Sequence, residues 1–220
     1  PGNARFVPPP PEDVPDALAA LERWIHSDDA LPPLVKAGLA HAQFETVHPF
    51  LDGNGRIGRL LITLLLQHWG LMESPILYLS LALKQRQQEY YDRLSAIRTE
   101  GDWEGWTTFF LECARDAAND GVVVAVGLFE LLSADRRRLA ASERCTVAAL
   151  RLLDLLPEHP VVTAPLVAKH LQVTAPTARK AIDVAVEIGV LKETSGKQRD
   201  RVFAYHRYLQ ILTGAEERAG

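Results

Sequence analysis

The chain has 220 residues with a formal net charge of −4, and 47% of its residues are hydrophobic and 24% charged. These are globular values, so they exclude disordered, collagen-like and coiled-coil chains, and the acidic balance argues against a protein that coats nucleic acid along its length. Two cysteines, Cys113 and Cys145, form no disulfide framework or zinc cluster, which favours a reducing, cytoplasmic compartment. We recognise no signal peptide and no uninterrupted apolar run of roughly 18 residues, so no membrane partner is expected.

The start of the chain and its charge distribution indicate how it is organised. The only methionine is Met72, so we expect that Pro1 is not a natural start and that an upstream part is missing. Residues 142–220 carry a formal charge of +2, and residues 1–141 carry −6. This asymmetry predicts two domains, 1–141 and 142–220, with different tasks.

Helical patterns dominate the first domain, after an extended arm of prolines at 8–11. Apolar spacing and capping residues predict helices over about 14–26, 33–47, 55–68, 80–100, 103–119 and 122–141. No segment before residue 142 alternates with period two. The first domain is therefore predicted to be all-α.

The second domain mixes helices with a hairpin. The pattern predicts helices over 142–156, 163–171 and 174–188, with a three-residue turn between the last two. Strands over 190–193 and 202–205 flank the polar tip TSGKQRDR. This order is that of a winged helix-turn-helix, so the chain is predicted to be mainly α with a small α+β second domain.

A winged helix of this kind binds DNA or another protein. Cations on the predicted recognition helix and wing favour DNA: Arg179, Lys180, Lys197, Arg199 and Arg201. Carboxylates on or beside the same elements oppose it: Asp183, Glu187, Glu193 and Asp200. Both kinds of partner stay open.

Residues 48–59, HPFLDGNGRIGR, carry the strongest chemical signal. Gly53, Asn54 and Gly55 can leave backbone N–H groups bare at a helix N-terminus, an arrangement that binds anions. Arg56 and Arg59 follow in the first turn. Cations there are repelled by the helix dipole, and each costs about 0.3–1 kcal/mol of stability. A polyphosphate would supply the missing negative charge.

Two more side chains precede this loop. His48 can act as a base near neutral pH, and Asp52 can hold Mg²⁺ against phosphate oxygens. Phe50 lies between them and is expected to anchor the loop in the core. An EF-hand is excluded because its ligand pattern fails at Arg56 and its glycine at Ile57. The parts predict phosphoryl or nucleotidyl transfer.

HPFLDGNGRIGR resembles the full Fic motif, HPFx(D/E)GNGRxxR, without departure. The segments GNARFVPPPP, PILYLS, YYDRL and GDWEGW are also similar to Fic proteins, so the resemblance covers roughly residues 1–138. It implies an all-α Fic domain that transfers AMP from ATP to a Ser, Thr or Tyr hydroxyl of a target protein, or of itself, and releases pyrophosphate.

The resemblance also implies a role for each motif residue. His48 would deprotonate the acceptor hydroxyl and Asp52 would hold Mg²⁺. The phosphates of ATP would lie against the loop and the arginines, that is, against Gly53, Asn54, Gly55, Arg56 and Arg59.

Three alternatives remain. Relatives transfer other groups, so UMP or GMP transfer stays open. The first domain could instead sense a nucleotide for a DNA-binding regulator, although such a sensor would not need His48. A homodimer is also left open.

An expectation about control follows from the same resemblance. Fic proteins of this type are commonly held off by a helix with the pattern [ST]xxxE[GN], whose Glu pairs with the second motif arginine. No good match occurs here. We therefore expect the inhibitory helix in the missing upstream part, and Arg59 to be free for ATP.

Other notable side chains are expected to be structural. His41 and Glu45 look like half a metal site but fit better as a core histidine or a rim hydrogen bond. The aromatic pairs are expected to pack in the core and the arginine run to end a helix: Tyr90–Tyr91, Trp103 with Trp106, and Arg136–Arg138. Cys113 and Cys145 are expected to be buried.

Overall fold

The computed structural model describes residues 6–73, 78–197 and 199–217. Within these ranges the chain is mainly α-helical with one small three-stranded sheet, which confirms the predicted fold class. Residues 2–5 of the segment GNARFVPPPP and 75–77 of PILYLS lie outside the described residues.

The elements follow one another in a simple order. The helices are α1 (Val14–Ile25), α2 (Pro33–Val47), α3 (Asn54–His68), α4 (Leu79–Gln85), α5 (Gln87–Glu100), α6 (Trp103–Ala140), α7 (Val147–Leu155), α8 (Ala164–Leu171), α9 (Ala175–Glu187) and α10 (His206–Glu217). The strands are β1 (Val161–Thr163), β2 (Lys192–Glu193) and β3 (Val202–Ala204).

The side chains pack in two compact units, one up to Gly121 and one from Val122. The C-terminal part of α6 contributes Leu139 to the core of the second unit. The predicted boundary between residues 141 and 142 stays a prediction.

The core of the first unit forms around α2, which is buried on most of its surface. Gly38 on α2 is close to the ring of Phe110: an added Cβ would lie 2.6 Å from it. Trp106, fully buried, donates its indole N–H to the carbonyl of Gly38 at 2.9 Å. Small residues on α2 thus let the aromatic side chains of α6 pack directly against its backbone.

Two helix boundaries differ from the prediction. The helix predicted over 80–100 is interrupted at Arg86, whose guanidinium binds Glu89 and Glu112 at 2.8 and 2.9 Å. The two helices predicted over 103–119 and 122–141 are one helix, α6, because Gly121 keeps a helical backbone.

The second unit has the expected helix-turn-helix and wing. Thr163 and Thr174 cap α8 and α9, each accepting a backbone N–H at 3.4 Å. The sheet order is β1-β3-β2, all antiparallel, with Val162 opposite Phe203. The sequence did not predict β1 or α10, and α7 begins after its cap Thr146 rather than at residue 142.

One described helix, α6, is long and apolar enough to cross a membrane by length and composition. The sequence has no uninterrupted apolar run here, because Asp120 and Glu130 interrupt the segment. A single helix of this kind is weak evidence for a membrane span.

Candidate active site

The loop between α2 and α3 carries the predicted site, and His48 begins it. His48 ends α2 in the left-handed conformation, with φ 48° and ψ 57°, and donates its backbone N–H to Phe44 O at 2.9 Å. Residues other than glycine adopt this conformation uncommonly, so the turn holds His48 at the start of the loop at some cost in backbone strain.

Asn54 fixes the shape of the loop. Its Oδ1 accepts the backbone N–H of Phe50 at 2.9 Å, and its Nδ2 donates to the carbonyl of Phe50 at 2.6 Å. The side chain is almost fully buried. The side chain of Asn54 therefore holds the loop, and its backbone N–H stays the predicted phosphate contact.

The N-terminus of α3 faces this loop. Gly53 precedes the helix with φ 86°, and it is the one residue of the predicted nest with a positive φ, because Asn54 and Gly55 are already helical. Among the described residues no side chain caps α3 and no acidic side chain lies in its first turn. Its first N–H groups and its dipole are thus left for an anion.

Asp52 and Arg56 form an ion pair at the rim, with Nη2 of Arg56 3.2 Å from Oδ2 of Asp52. Both side chains are largely exposed, at 93% and 76%, so the pair adds little stability and opens readily. Described residues contain no group of three or more His, Cys, Asp or Glu side chains arranged for a metal. A single exposed carboxylate still fits Mg²⁺, which takes one or two carboxylates together with phosphate oxygens.

Arg59 lies near the buried carboxyl of Glu45. A Cβ added at Gly55 would lie 3.2 Å from Nη1 of Arg59 and 3.8 Å from Oε1 of Glu45. A Cβ added at Gly58 would lie 2.5 Å from the same Oε1. The two glycines therefore leave the space that these charged side chains occupy.

The expectation that Phe50 anchors the loop in the core is wrong. Its side chain is 47% exposed, and its ring centroid lies 6.4 Å from that of Phe44. Because Asn54 already holds the backbone of Phe50, the loop needs no buried ring as an anchor.

Behind the loop, His41 is a core histidine, as expected. It is fully buried, its Nε2 lies 3.0 Å from the hydroxyl of Tyr90, and its ring stacks on Trp106. Burial lowers the pKa of His41 to about 4. Tyr90 is buried as expected, whereas Tyr91 and Trp103 are partly exposed and Cys145 is only half-buried.

Two residues near His48 were not found from the sequence. The edge of the Phe6 ring lies against the His48 ring, with centroids 5.9 Å apart, and the guanidinium of Arg98 lies 3.6 Å from the Phe6 centroid. Arg98 also donates to the carbonyl of Glu45 at 2.9 Å. Both residues are distant in sequence from the motif, and no local spacing connects them with it.

A histidine at a helix end, an uncapped helix N-terminus and two nearby arginines form the candidate site, and its binding of a phosphate-bearing substrate stays a prediction. Residues 1–66 match the Fic/DOC family, and residues 150–204 match the family described as HTH DNA binding domain. The chain therefore carries a Fic domain followed by a helix-turn-helix domain.

Two relatives from different organisms are named as protein adenylyltransferases. A probable protein adenylyltransferase of Aquifex aeolicus is 39% identical over 70 residues, 32% of this chain and 22% of that protein. The protein adenylyltransferase Fic of Drosophila yakuba is 37% identical over 111 residues, 50% of this chain and 21% of that protein. The chain thus spans about a fifth of the length of these two relatives.

A solved structure supports the fold. A Fic family protein from Desulfovibrio desulfuricans G20 superposes with a TM-score of 0.51 and 26% identity, over 90% of this chain and 57% of that one.

Proposed function

We propose that the first unit transfers AMP from ATP to a hydroxyl side chain of a protein and releases pyrophosphate. The observation that carries this proposal is the complete loop from His48 to Arg59, which sets a potential base beside an uncapped helix N-terminus. Relatives named as protein adenylyltransferases support the choice of AMP.

In the proposed reaction the imidazole of His48 takes the proton of the acceptor hydroxyl. The hydroxyl oxygen then forms a bond to the α-phosphorus of ATP, the bond from that phosphorus to the bridging oxygen breaks, and pyrophosphate leaves. The N-terminus of α3 and the guanidinium groups of Arg56 and Arg59 bind the phosphates and stabilise the charge that develops on them.

Asp52 is the carboxylate that would hold Mg²⁺, which when bound supplies positive charge against the phosphates. For this, Arg56 must release Asp52, and both side chains are exposed enough to separate at small cost.

The test uses ATP labelled at the α- or the γ-phosphate, incubated with the chain and a host lysate. Transfer of AMP places the α-label, and not the γ-label, on protein, and mass spectrometry identifies the modified hydroxyl. His48→Ala should remove incorporation while ATP binds within a few-fold of wild type. Incorporation at the wild-type rate in this variant would refute the role of His48, and protein carrying the γ-label would indicate phosphate transfer instead.

A second function, DNA binding by the second unit, is favoured by the match over residues 150–204. Arg179 and Lys180 are exposed on α9, which begins directly after the turn of the helix-turn-helix. The wing exposes Lys197, Arg199 and Arg201. These cations suit phosphate contacts on either side of a groove that holds α9.

DNA binding is tested by fluorescence anisotropy of a labelled duplex across a salt series. Phosphate contacts predict a steep linear fall of log affinity with log salt, and Lys180→Ala should lower the slope by about one. A duplex that does not bind at low salt, while the unit remains folded, would leave a protein as the partner of this unit.

A further inference from the structure

Two polar atoms close to the proposed base, Oε1 of Glu45 and Nδ1 of His48, are buried without hydrogen-bond partners among the described residues, as is Nδ1 of His41 behind them. Such atoms are rare in folded proteins because each loses its hydrogen bonds to water. At a functional site they indicate a hydrogen bond that forms during the reaction.

The two residues are placed to interact. Glu45 lies in the last turn of α2, three positions before His48, which follows the helix as its left-handed C-cap. Burial raises the pKa of Glu45, and the charges of His48, Arg59 and Arg98 act in the opposite direction. The carboxyl of Glu45 is thus near enough to the imidazole to respond to its charge.

Other contacts leave this carboxyl available. Arg98 donates to the backbone carbonyl of Glu45 and not to its carboxylate, and within the described chain Glu45 has no ion pair. Glu45 is only 6% exposed, so its carboxyl is largely shielded from bulk solvent. Gly58 provides the space for the carboxyl, since a Cβ there would lie 2.5 Å from its Oε1.

We propose that Glu45 is the positioning residue of the proposed base: its carboxylate accepts the Nδ1–H of His48 when the acceptor hydroxyl binds. This bond selects the tautomer in which Nε2 is free to take the hydroxyl proton, and the negative charge stabilises the imidazolium that results. The inference rests on the proposed function, since it assigns to Glu45 a part in the same reaction.

The isosteric variant Glu45→Gln removes the charge and keeps the volume. With saturating ATP, its rate of AMP incorporation should fall by about 10- to 100-fold, by analogy with the loss of a hydrogen-bond partner of a metal-binding histidine. Its KM for ATP should stay within a few-fold of wild type. The acidic limb of its pH–rate profile should move to lower pH, because the imidazolium has lost a neighbouring negative charge. Glu22→Gln, on the exposed side of α1, is the matched control and should change none of these quantities.

A second measurement needs no transfer activity. Diethyl pyrocarbonate modifies neutral imidazole, and mass spectrometry of the His48 peptide gives the pH at which its modification is half-maximal. In Glu45→Gln this pH should be lower than in wild type by about half a unit or more. If wild type transfers no AMP, the proposed function fails, and this comparison still decides whether Glu45 and His48 are coupled.

An unchanged half-modification pH in a folded Glu45→Gln variant would overturn the proposal. So would an unchanged rate of incorporation, or a loss of ATP affinity without a shift of the pH profile. The last result would show that Glu45 acts through Arg59.

Discussion

Arg59 lies one turn into α3, with Nη1 beside Gly55 and no ion pair to a described residue. The buried carboxyl of Glu45 lies near it without forming an ion pair. An arginine three residues after Arg56 reaches a point farther from the start of the helix. The resemblance to the Fic motif implies that Arg59 binds the terminal phosphates of ATP, and this role stays a prediction.

Arg59→Ala should weaken binding of ATP far more than binding of AMP, which lacks those phosphates. The loss for ATP should be about 1.5–3 kcal/mol, the range for a hydrogen bond to a charged group, and the loss for AMP should be small. Isothermal titration calorimetry with both nucleotides measures the difference. An equal loss for both would give Arg59 a structural role instead.

His41 gives the first unit a pH dependence of stability. Burial lowers its pKa from 6.5 to about 4, so between these values the unfolded chain binds more protons than the folded one. Stability should therefore fall as pH decreases from about 6.5 to about 4, by up to about 3 kcal/mol. Urea unfolding at pH 7 and pH 5 measures this loss, which should be smaller in His41→Gln. Comparing the two proteins isolates the contribution of His41 to this pH dependence from that of Glu45. The raised pKa of Glu45 makes its contribution to stability increase as the pH falls. An equal loss in both would contradict the prediction.

At the level of single residues, the sequence predicted that the motif forms a loop between two helices. This was possible because the motif is continuous in sequence and its glycines favour a loop over a helix interior. It did not predict that the Asn54 side chain holds the loop, since a side chain that binds its own backbone looks in sequence like one that binds a ligand. The sequence did single out Glu45, but the space beside Gly58 that holds it appears only when α2 and α3 pack together.

At the scale of elements, two helical glycines offer a matched comparison. Gly38→Ala should destabilise the first unit by about 1–3 kcal/mol, because the new Cβ would lie 2.6 Å from the Phe110 ring in a packed core. Gly121→Ala, in α6, meets nothing within 4 Å and should stabilise by about 0.5–1 kcal/mol through helix propensity. Chemical denaturation of both variants measures the difference. Effects of the same sign would contradict the packing argument.

Element boundaries show where local signals failed. Gly121 was expected to end a helix, yet the apolar segments on both sides continue it, since one glycine costs only about 1 kcal/mol in a helix. Arg86 was expected inside a helix, but its side chain binds Glu89 and Glu112, and the second is distant in sequence. Strand β1 has three residues and pairs only with β3, so it has too little sequence pattern to detect.

At the scale of the whole molecule, each unit has its own core, and the second also contains a buried carboxylate. Asp135 is fully buried and accepts hydrogen bonds from the Tyr205 hydroxyl at 2.6 Å and from Arg207 at 2.8 and 3.0 Å. Arg138 also contacts this carboxylate. Burial, together with Asp135, raises the pKa of Tyr205, so its hydroxyl keeps its proton as a donor.

Asp135→Asn should destabilise the second unit by about 1–3 kcal/mol, because it removes the buried carboxylate that accepts hydrogen bonds from the Tyr205 hydroxyl and from the partly exposed Arg207. Hydrogen exchange should show faster exchange of the amides of β3 and α10. Asp154→Asn, which removes an exposed pair with Arg136, should cost less than about 1 kcal/mol. Unchanged exchange of β3 in Asp135→Asn would show that the network is dispensable.

The left-handed backbone of His48, with φ 48°, makes the proposed base costly to keep. Such a conformation in a residue other than glycine costs about 1–3 kcal/mol, and glycine or asparagine adopts it more easily. Selection of this chain for stability alone would therefore enrich glycine or asparagine at position 48, and the stabler variants would be inactive. Any programme of thermostabilisation must hold this position constant, because at His48 stability and activity are in direct conflict.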